Sequence, residues 1–380
     1  MKICFVVIEL DYFVSHRLDL AKNLAKLCEV HVITNTENAT KEILQEITCH
    51  GILLHHLQSR KGSLNLLGYL KYLISLRRLI KSLKLEYIFY VTLEMSILGA
   101  IVNNTLEVKK SFFLITGLGP FFFSKKPKYL LYRFIKKIIF TSLRIKKNYL
   151  FIFQNNDDLR IFLKKNLSQN QNSTVIRGNG INIDQLKYCK RDNSNEIIFL
   201  FASKLIYSKG IIEFMNASKE LLDEKYENIK FKIAGKYDPS NPDSISRKDF
   251  KIITTSECFE YQGFLDKENM QKCLYNSTIL VLPSYGEGLP KIALEAAATG
   301  MPLILTDVRG CKDCLIEGKN GLLVNIKNHE DIKNAMKKFI VQKELINAYG
   351  RSSSRLISEQ FSLEMITQKF LHLFKNRQID

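Results

Sequence analysis

Two carboxylates, Glu287 and Glu295, stand with seven residues between them in the run SYGEGLPKIALE, residues 284–295. Glycines flank Glu287, and Pro290 follows three positions later, so the run reads as a tight loop opening onto a helix. A helix start presents N–H groups that no residue of the helix itself accepts, together with partial positive charge. The amides near Gly288 and Leu289 therefore suit a diphosphate. Carboxylates on either side of that anion can accept hydrogen bonds from sugar hydroxyls, and the combination points to a nucleotide sugar. A helix with two merely solvated glutamates is the competing reading, and the Gly-Glu-Gly and Pro frame weighs against it.

The flanking sequence supplies the elements that would hold these residues. Ile279–Leu282 is a short apolar run stopped by Pro283, as expected of a buried parallel strand. Gly286 and Gly288 permit the turn, and the helix is predicted to run to Thr299. Gly300 offers a left-handed cap there and Pro302 forbids continuation. Met301–Thr306 is the next buried strand. The predicted strand, helix and strand put a helix N-terminus at the carboxyl end of a parallel sheet, where such folds bind phosphates.

The longer run SYGEGLPKIALEAAATGMPLILTDVRGCKDCLIEGKNGLLV, residues 284–324, resembles the donor-site signature of the retaining family 4 glycosyltransferases. Among these, bacterial transferases that extend undecaprenyl-diphosphate-linked sugars or build O-antigen and capsule repeats are the nearest in pattern. The resemblance implies an α/β GT-B fold, with two Rossmann-like doubly wound parallel-sheet domains facing across a cleft. Residues 1–178 would face acceptor and membrane, residues 179–361 would bind the donor, and a helix at 362–380 would pack back on the first domain. By the same resemblance Glu287 contacts the donor hexose and Glu295 the ribose. Gly286, Gly288, Leu289 and Pro290 form the turn under the diphosphate, and the base lies near Phe264 and Leu265.

SKLIYSKG, residues 203–210, is similar to the family segment that carries a basic residue and then Lys-Gly. Lys204 stands where arginine is commoner, and Lys209 matches. Both would neutralise the β-phosphate as the bond to the sugar breaks. His16, read as opening the helix that contains AKNLAKL, lies in a segment that borders the acceptor cleft in similar sequences. Many relatives also place a histidine near the reacting sugar, close to Thr116-Gly-Leu-Gly-Pro120, and this sequence has none. Thr116, Gly117 and Gly119 are acceptor-side candidates: the glycines either allow close approach of a sugar diphosphate or simply make a turn. The implied reaction retains configuration at the anomeric carbon. It needs no cofactor and no metal, since the chain contains no Asp-x-Asp and basic groups stand where a divalent ion would act.

Composition bounds the remaining possibilities. A chain of 380 residues accommodates two domains, and no apolar run reaches the roughly 18–20 residues of a membrane span. The N-terminal MKICFVVIEL reads as a first strand and not as a leader, so a cytoplasmic location is expected. Eight cysteines at irregular positions fit reduced thiols, and Cys311-x-x-Cys314, without a second pair or a nearby His, is read as structural. Net charge is +15 through residue 180 and only +3 beyond it. Between Val108 and Gln154 lie eleven basic residues and no acidic one, and KPKYLLYRFIKKIIFTSLRIKK interleaves them with apolar side chains. Residues 109–147 are therefore expected to bind an anionic membrane surface at the inner face of the cytoplasmic membrane, the competing reading being a core-packed helix with a solvated basic face. A nucleic-acid partner is not expected, because no known binding module appears. Two rival functions remain at this stage: a nucleotide-sugar epimerase on the same fold, and a basic nucleic-acid-binding protein that would leave the glutamate pair idle.

Overall fold

The computed structural model describes residues 1–58, 66–103, 106–118, 148–191 and 196–375. Gly119 and the basic stretch from Lys125 to Lys147 lie outside the described residues. The chain divides into two compact units, Met1–Gly180 with Leu363–Asp380, and Ile181–Ser362.

The first unit is built on seven parallel strands: β1 (Lys2–Glu9), β2 (Glu29–Asn35), β3 (Leu53–His56), β4 (Tyr87–Val91), β5 (Lys110–Ile115), β6 (Tyr149–Phe153) and β7 (Ser173–Val175). Their order is β3-β2-β1-β4-β5-β6-β7. The central strands β1, β4, β5 and β6 are mostly apolar because helices cover both sheet faces, and alternate side chains serve opposite cores. Phe89 stacks between Phe5 and Phe112 on one face, with centroids 5.0 and 4.5 Å away. Their neighbours Tyr90 and Phe113 stack on the other at 5.6 Å. The terminal helix Leu363–Lys375 belongs to this unit and adds Leu363, Ile366 and Phe370 to the Phe89 face. Leu10 and Phe13, three apart and buried, draw the residues after β1 into a helix of their own, Leu10–His16. His16 closes that helix, whereas its sequence context suggested the opening of the next one.

The second unit has six parallel strands: β8 (Ile197–Ala202), β9 (Ile229–Ala234), β10 (Glu260–Gly263), β11 (Ile279–Leu282), β12 (Leu303–Thr306) and β13 (Gly321–Val324). The order β10-β9-β8-β11-β12-β13 is that of a doubly wound sheet. Strands β8 and β11 are neighbours at its centre, paired through Ile279 with Phe199 and Leu280 with Leu200. From this line the chain winds outward in both directions, and the loops leaving β8 and β11 emerge side by side at the carboxyl edge, where they touch. Arg191 anchors the lead-in to the unit. Its buried guanidinium donates to Tyr275 O at 2.7 Å, Thr299 O at 3.0 Å and Thr299 Oγ1 at 2.7 Å.

The polar stretch Tyr237–Ser256, which the sequence suggests is a mobile excursion, is instead tied down. Ser246 caps the helix Arg247–Thr255 by accepting from the Asp249 amide, and Ile245 and Ile253 are buried in the core.

Candidate active site

The loops at the switch line of the second sheet bring together residues 78 positions apart in the chain. Lys209 ends a single 3₁₀ turn after β8, and Glu287 lies in the loop after β11. Lys209 Nζ reaches Glu287 Oε1 at 2.5 Å, and both side chains are largely covered, with 21% and 14% of their surface exposed. The same carboxylate oxygen accepts from Ser284 Oγ at 2.8 Å. Ser284 is held in turn by the Thr306 hydroxyl, which donates to its carbonyl, so β12 braces the glutamate through one intermediate residue.

Two glycines make this closeness possible. Gly210 has φ +73°, and a Cβ there would lie 2.2 Å from Pro283 O, so any side chain would drive the two loops apart. Gly310, at φ +78°, would place a Cβ 2.5 Å from the carbonyls of both Glu287 and Gly288. The Glu287 amide donates to Arg309 O at 3.2 Å, which seats the Gly-Glu-Gly loop on the segment after β12.

Tyr285 fixes the loop from its other side. Its amide donates to Ser208 O at 2.8 Å and its hydroxyl to Glu213 Oε1 at 2.5 Å, while Lys327 Nζ lies 5.1 Å from the ring centroid. Burial, reinforced by the Glu213 carboxylate, pushes the Tyr285 phenol well above its ordinary range, so it remains a donor. The lysine-bearing loop has a clasp of its own. Asp243 accepts from the Ser208 amide at 3.2 Å and from the Ser208 hydroxyl, and Tyr207 donates to Asp249 at 3.1 Å. Sequence reasoning missed Ser284, Tyr285, Glu213 and Asp243 as supporting residues. Only Ser284 and Tyr285 had a signal, their place beside Glu287.

The other sequence candidates take the following places. Glu295 lies in the helix Lys291–Ala298, partly covered and paired with Lys291 Nζ at 3.1 Å. Gly286, Gly288 and Leu289 form the loop before it, and Pro290 is the residue that caps this helix and not its first turn. Lys204 is exposed, earlier on the Lys209 loop. Nearby Asp238 is held below the usual carboxylate range chiefly by the Ser240 hydroxyl and amide, with Lys236 and Lys204 adding smaller effects. Phe264 and Leu265 follow β10 at the sheet edge, and Phe264 is 74% exposed. Cys311 and Cys314 are free and fully buried. Burial pushes the Cys311 thiol well up, and the charge of Glu287 adds to that effect.

In the first unit, His16 stacks on Tyr12 with centroids 4.4 Å apart, and its Nδ1 lies 2.6 Å from Ser15 Oγ. Its neighbour Arg17, which the sequence gave no reason to single out, is completely buried. Thr116 and Gly117 follow β5, with Gly117 at φ +153°.

Comparison with known proteins agrees with this architecture. Residues 182–355 match the family described as Glycosyl transferases group 1. The chain is 25% identical over 358 residues to the N,N'-diacetylbacillosaminyl-diphospho-undecaprenol alpha-1,3-N-acetylgalactosaminyltransferase of Campylobacter jejuni, covering 91% of this chain and 90% of that one. It is 22% identical over 340 residues to the UDP-Gal:alpha-D-GlcNAc-diphosphoundecaprenol alpha-1,3-galactosyltransferase of Escherichia coli, covering 82% and 81%. Among solved structures, sucrose-phosphate synthase from Thermosynechococcus elongatus superposes with a TM-score of 0.79 at 16% identity, covering 99% of this chain and 98% of that one. Anabaena HepE in complex with UDP-glucose gives 0.78 at 15%, covering 98% and 99%. The second unit thus carries a group 1 glycosyltransferase domain, and the two parallel-sheet units together have the fold of GT-B glycosyltransferases.

Proposed function

We propose that the protein is a retaining glycosyltransferase. It moves a hexose or N-acetylhexosamine from a nucleoside-diphosphate sugar, with UDP as the nucleotide, to a saccharide carried on polyprenyl diphosphate during assembly of a bacterial surface glycan. The observation that carries the reading is the Lys209–Glu287 pair at the switch line of the second sheet, beside the start of the helix Lys291–Ala298. The acceptor is inferred from the two bacterial relatives, whose names specify undecaprenyl-diphosphate-linked sugars.

In this reading the arriving donor divides the ion pair. Its diphosphate takes Lys209 and the helix start with the Gly288 and Leu289 amides, while Glu287 turns its oxygens to the hexose hydroxyls and Glu295 to the ribose. Lys204 supplies a second cation. As the anomeric C–O bond breaks, negative charge grows on the diphosphate, and cations held in place beforehand stabilise that charge more than the ground state. The acceptor hydroxyl attacks from the face the diphosphate leaves, and its proton passes to a departing phosphate oxygen. Configuration is thereby retained. Two lysines and a helix dipole perform the neutralisation otherwise assigned to a divalent ion, so turnover is expected to be metal-independent.

The test is incubation with labelled UDP-sugars and a short polyprenyl-diphosphate saccharide, with and without EDTA, and assignment of the product anomer by NMR. Transfer with retention in EDTA supports the reading. An inverted product, a strict metal requirement, or conversion of the UDP-sugar to its epimer without acceptor overturns it.

A further inference from the structure

The helices Ile211–Asp223 and His329–Val341 of the second unit bury their inner sides in one core, Phe214 and Leu221 from the first and Ile332 and Met336 from the second. A charged seam runs along their outer sides. Glu224 is met by Lys337 Nζ at 2.7 Å, and Lys333 Nζ lies 2.9 Å from both Glu220 Oε2 and Glu330 Oε2. The remaining oxygens of these last two carboxylates face one imidazole. His329 Nε2 lies 3.0 Å from Glu220 Oε1 and 3.9 Å from Glu330 Oε1.

Two carboxylates on a wet surface are ordinary, and the imidazole sets this group apart. Among the described residues, one group of three His, Cys, Asp or Glu side chains brings its donor atoms within 4.8 Å of one another, and it is Glu220, His329 and Glu330. A tetrahedral ion with bonds of about 2.0–2.1 Å holds its donors roughly 3.3 Å apart. The two spacings to the imidazole, 3.0 and 3.9 Å, bracket that value, so side-chain rotation is enough to close the set. The three side chains are 35%, 39% and 54% exposed, which gives an ion a path in and leaves a fourth position to water. One nitrogen with two carboxylate oxygens suits zinc or a neighbouring divalent metal, whereas calcium and magnesium take shells of six or more oxygens.

We propose that Glu220, His329 and Glu330 form a structural site for a divalent first-row metal ion, zinc in particular, that clasps the two helices together. Lys333 holds the carboxylate oxygens that the ion does not use, as partners outside a metal's own shell do when they orient its ligands. The seam sets three carboxylates against two ammoniums, so one negative charge is left for the ion. In the ion-free protein Nε2 donates to Glu220; with the ion bound Nε2 is a ligand and the ring carries its proton on Nδ1. The clasp also joins the two elements that hold Tyr285. Glu213, which accepts from the Tyr285 hydroxyl, is on the first helix, and Lys327, over the Tyr285 ring, comes two residues before His329. The proposal does not rest on the donor chemistry. The ion touches none of the residues assigned to the donor, so it stands apart from the metal-independent turnover proposed above.

The test uses the full chain, reduced and stripped of metal with a chelator. Zinc affinity is read by competition with a chromophoric chelator, and cobalt serves as a visible probe of the ligands. His329→Ala and Glu330→Gln should each weaken zinc binding by more than about tenfold, since even a partner outside the shell is worth about 10–100-fold. Cobalt should give d–d bands without the thiolate charge-transfer absorption that ligation by any of the eight cysteines would add. Zinc at a hundredfold excess over its dissociation constant should raise the melting temperature of the wild-type second unit by about 5–10 °C and leave that of His329→Ala in place. Without metal, both variants should melt within about 2 °C of wild type, because exposed ion pairs contribute little, and this separates a lost ligand from a lost fold. Absence of saturable zinc binding, equal binding or an equal melting rise in wild type and both variants, or a cobalt spectrum dominated by thiolate would each overturn the proposal.

Discussion

Removing the charge of Lys209 tests the site most directly. Lys209→Met keeps the aliphatic stem and deletes the ammonium that lies 2.5 Å from Glu287. The pair is mostly covered yet not sealed from solvent, so its coupling in the free protein should fall between that of exposed and fully buried pairs, about 1–2 kcal/mol. In a unit of this size that shifts the melting temperature by about 2–8 °C. In the proposed reaction the same ammonium would face charge developing on the diphosphate, and losing one such donor costs about 10²–10³-fold in rate. Glu287→Gln preserves acceptance from Ser284 and loses the charge, so a smaller loss of about 10–10²-fold is expected. If the donor separates the pair, each residue contacts a different part of the substrate. Melting temperatures should then show coupling in a double-mutant cycle, and kcat/KM, which is referred to the free enzyme, should show the same coupling with opposite sign, so that the double variant loses more than the product of the two single losses. The assay is steady-state transfer to a soluble acceptor, with calorimetry on the same four proteins. Lys209→Met retaining kcat/KM within about threefold of wild type, with an unshifted melting curve, refutes the assignment of Lys209. A double variant no worse than Lys209→Met refutes the separation of the pair.

Other substitutions test what holds the site. Gly310→Ala meets two carbonyls at 2.5 Å with φ at +78°, so it should destabilise the second unit by about 1–3 kcal/mol and weaken nucleotide binding, read by urea titration and calorimetry. Arg191→Ala strands the Tyr275 and Thr299 carbonyls; a loss of about 2–4 kcal/mol in urea unfolding is expected, and a change under about 0.5 kcal/mol would show that the anchor is redundant. His55, beside His31 with its Nε2 at 2.9 Å from His31 Nδ1, has its pKa lowered by burial and then by His31. The unfolded chain therefore takes up His55's proton first as pH falls below about 6.5, so this residue's contribution is full above that value and is lost down to the folded pKa. Relative to wild type, His55→Gln should flatten the fall in urea stability between about pH 7.5 and pH 5, and parallel profiles would contradict the sign.

Much of the fold is legible because parallel strands buried on both faces leave continuous apolar runs, such as Ile279–Leu282 before Pro283 or Phe151–Phe153. The cap at Gly300 is equally plain from its place before Pro302. Long-range closeness is not legible in this way. Nothing in the spacing of Lys209 and Glu287 shows that they meet, because their contact follows from which strands become neighbours, and only the likeness of two short segments to a known family suggested it. Glu213 and Asp243 were invisible for a related reason. A lone carboxylate on a helix or in a polar loop reads as solvated until the phenol or serine it serves is in place. The stretch Tyr237–Ser256 misled through composition, since its few apolar residues, Ile245 and Ile253, are the ones that reach the core. His16 misled by one element because the short helix it closes carries no proline or glycine to announce its end.

The central pairing of β8 with β11 also sets a timetable for synthesis. Lys209 and Glu287 are 78 residues apart, and at about 5–20 residues per second a ribosome needs roughly 4–16 s to pass from one to the other. During that interval β8 can pair with β9, but its other backbone edge, flanked by Phe199 and Phe201, has no partner because β11 does not yet exist. The innermost strand of the finished sheet is thus the outermost during its own synthesis. The nascent chain is most open to mispairing at the line where the candidate site will later form.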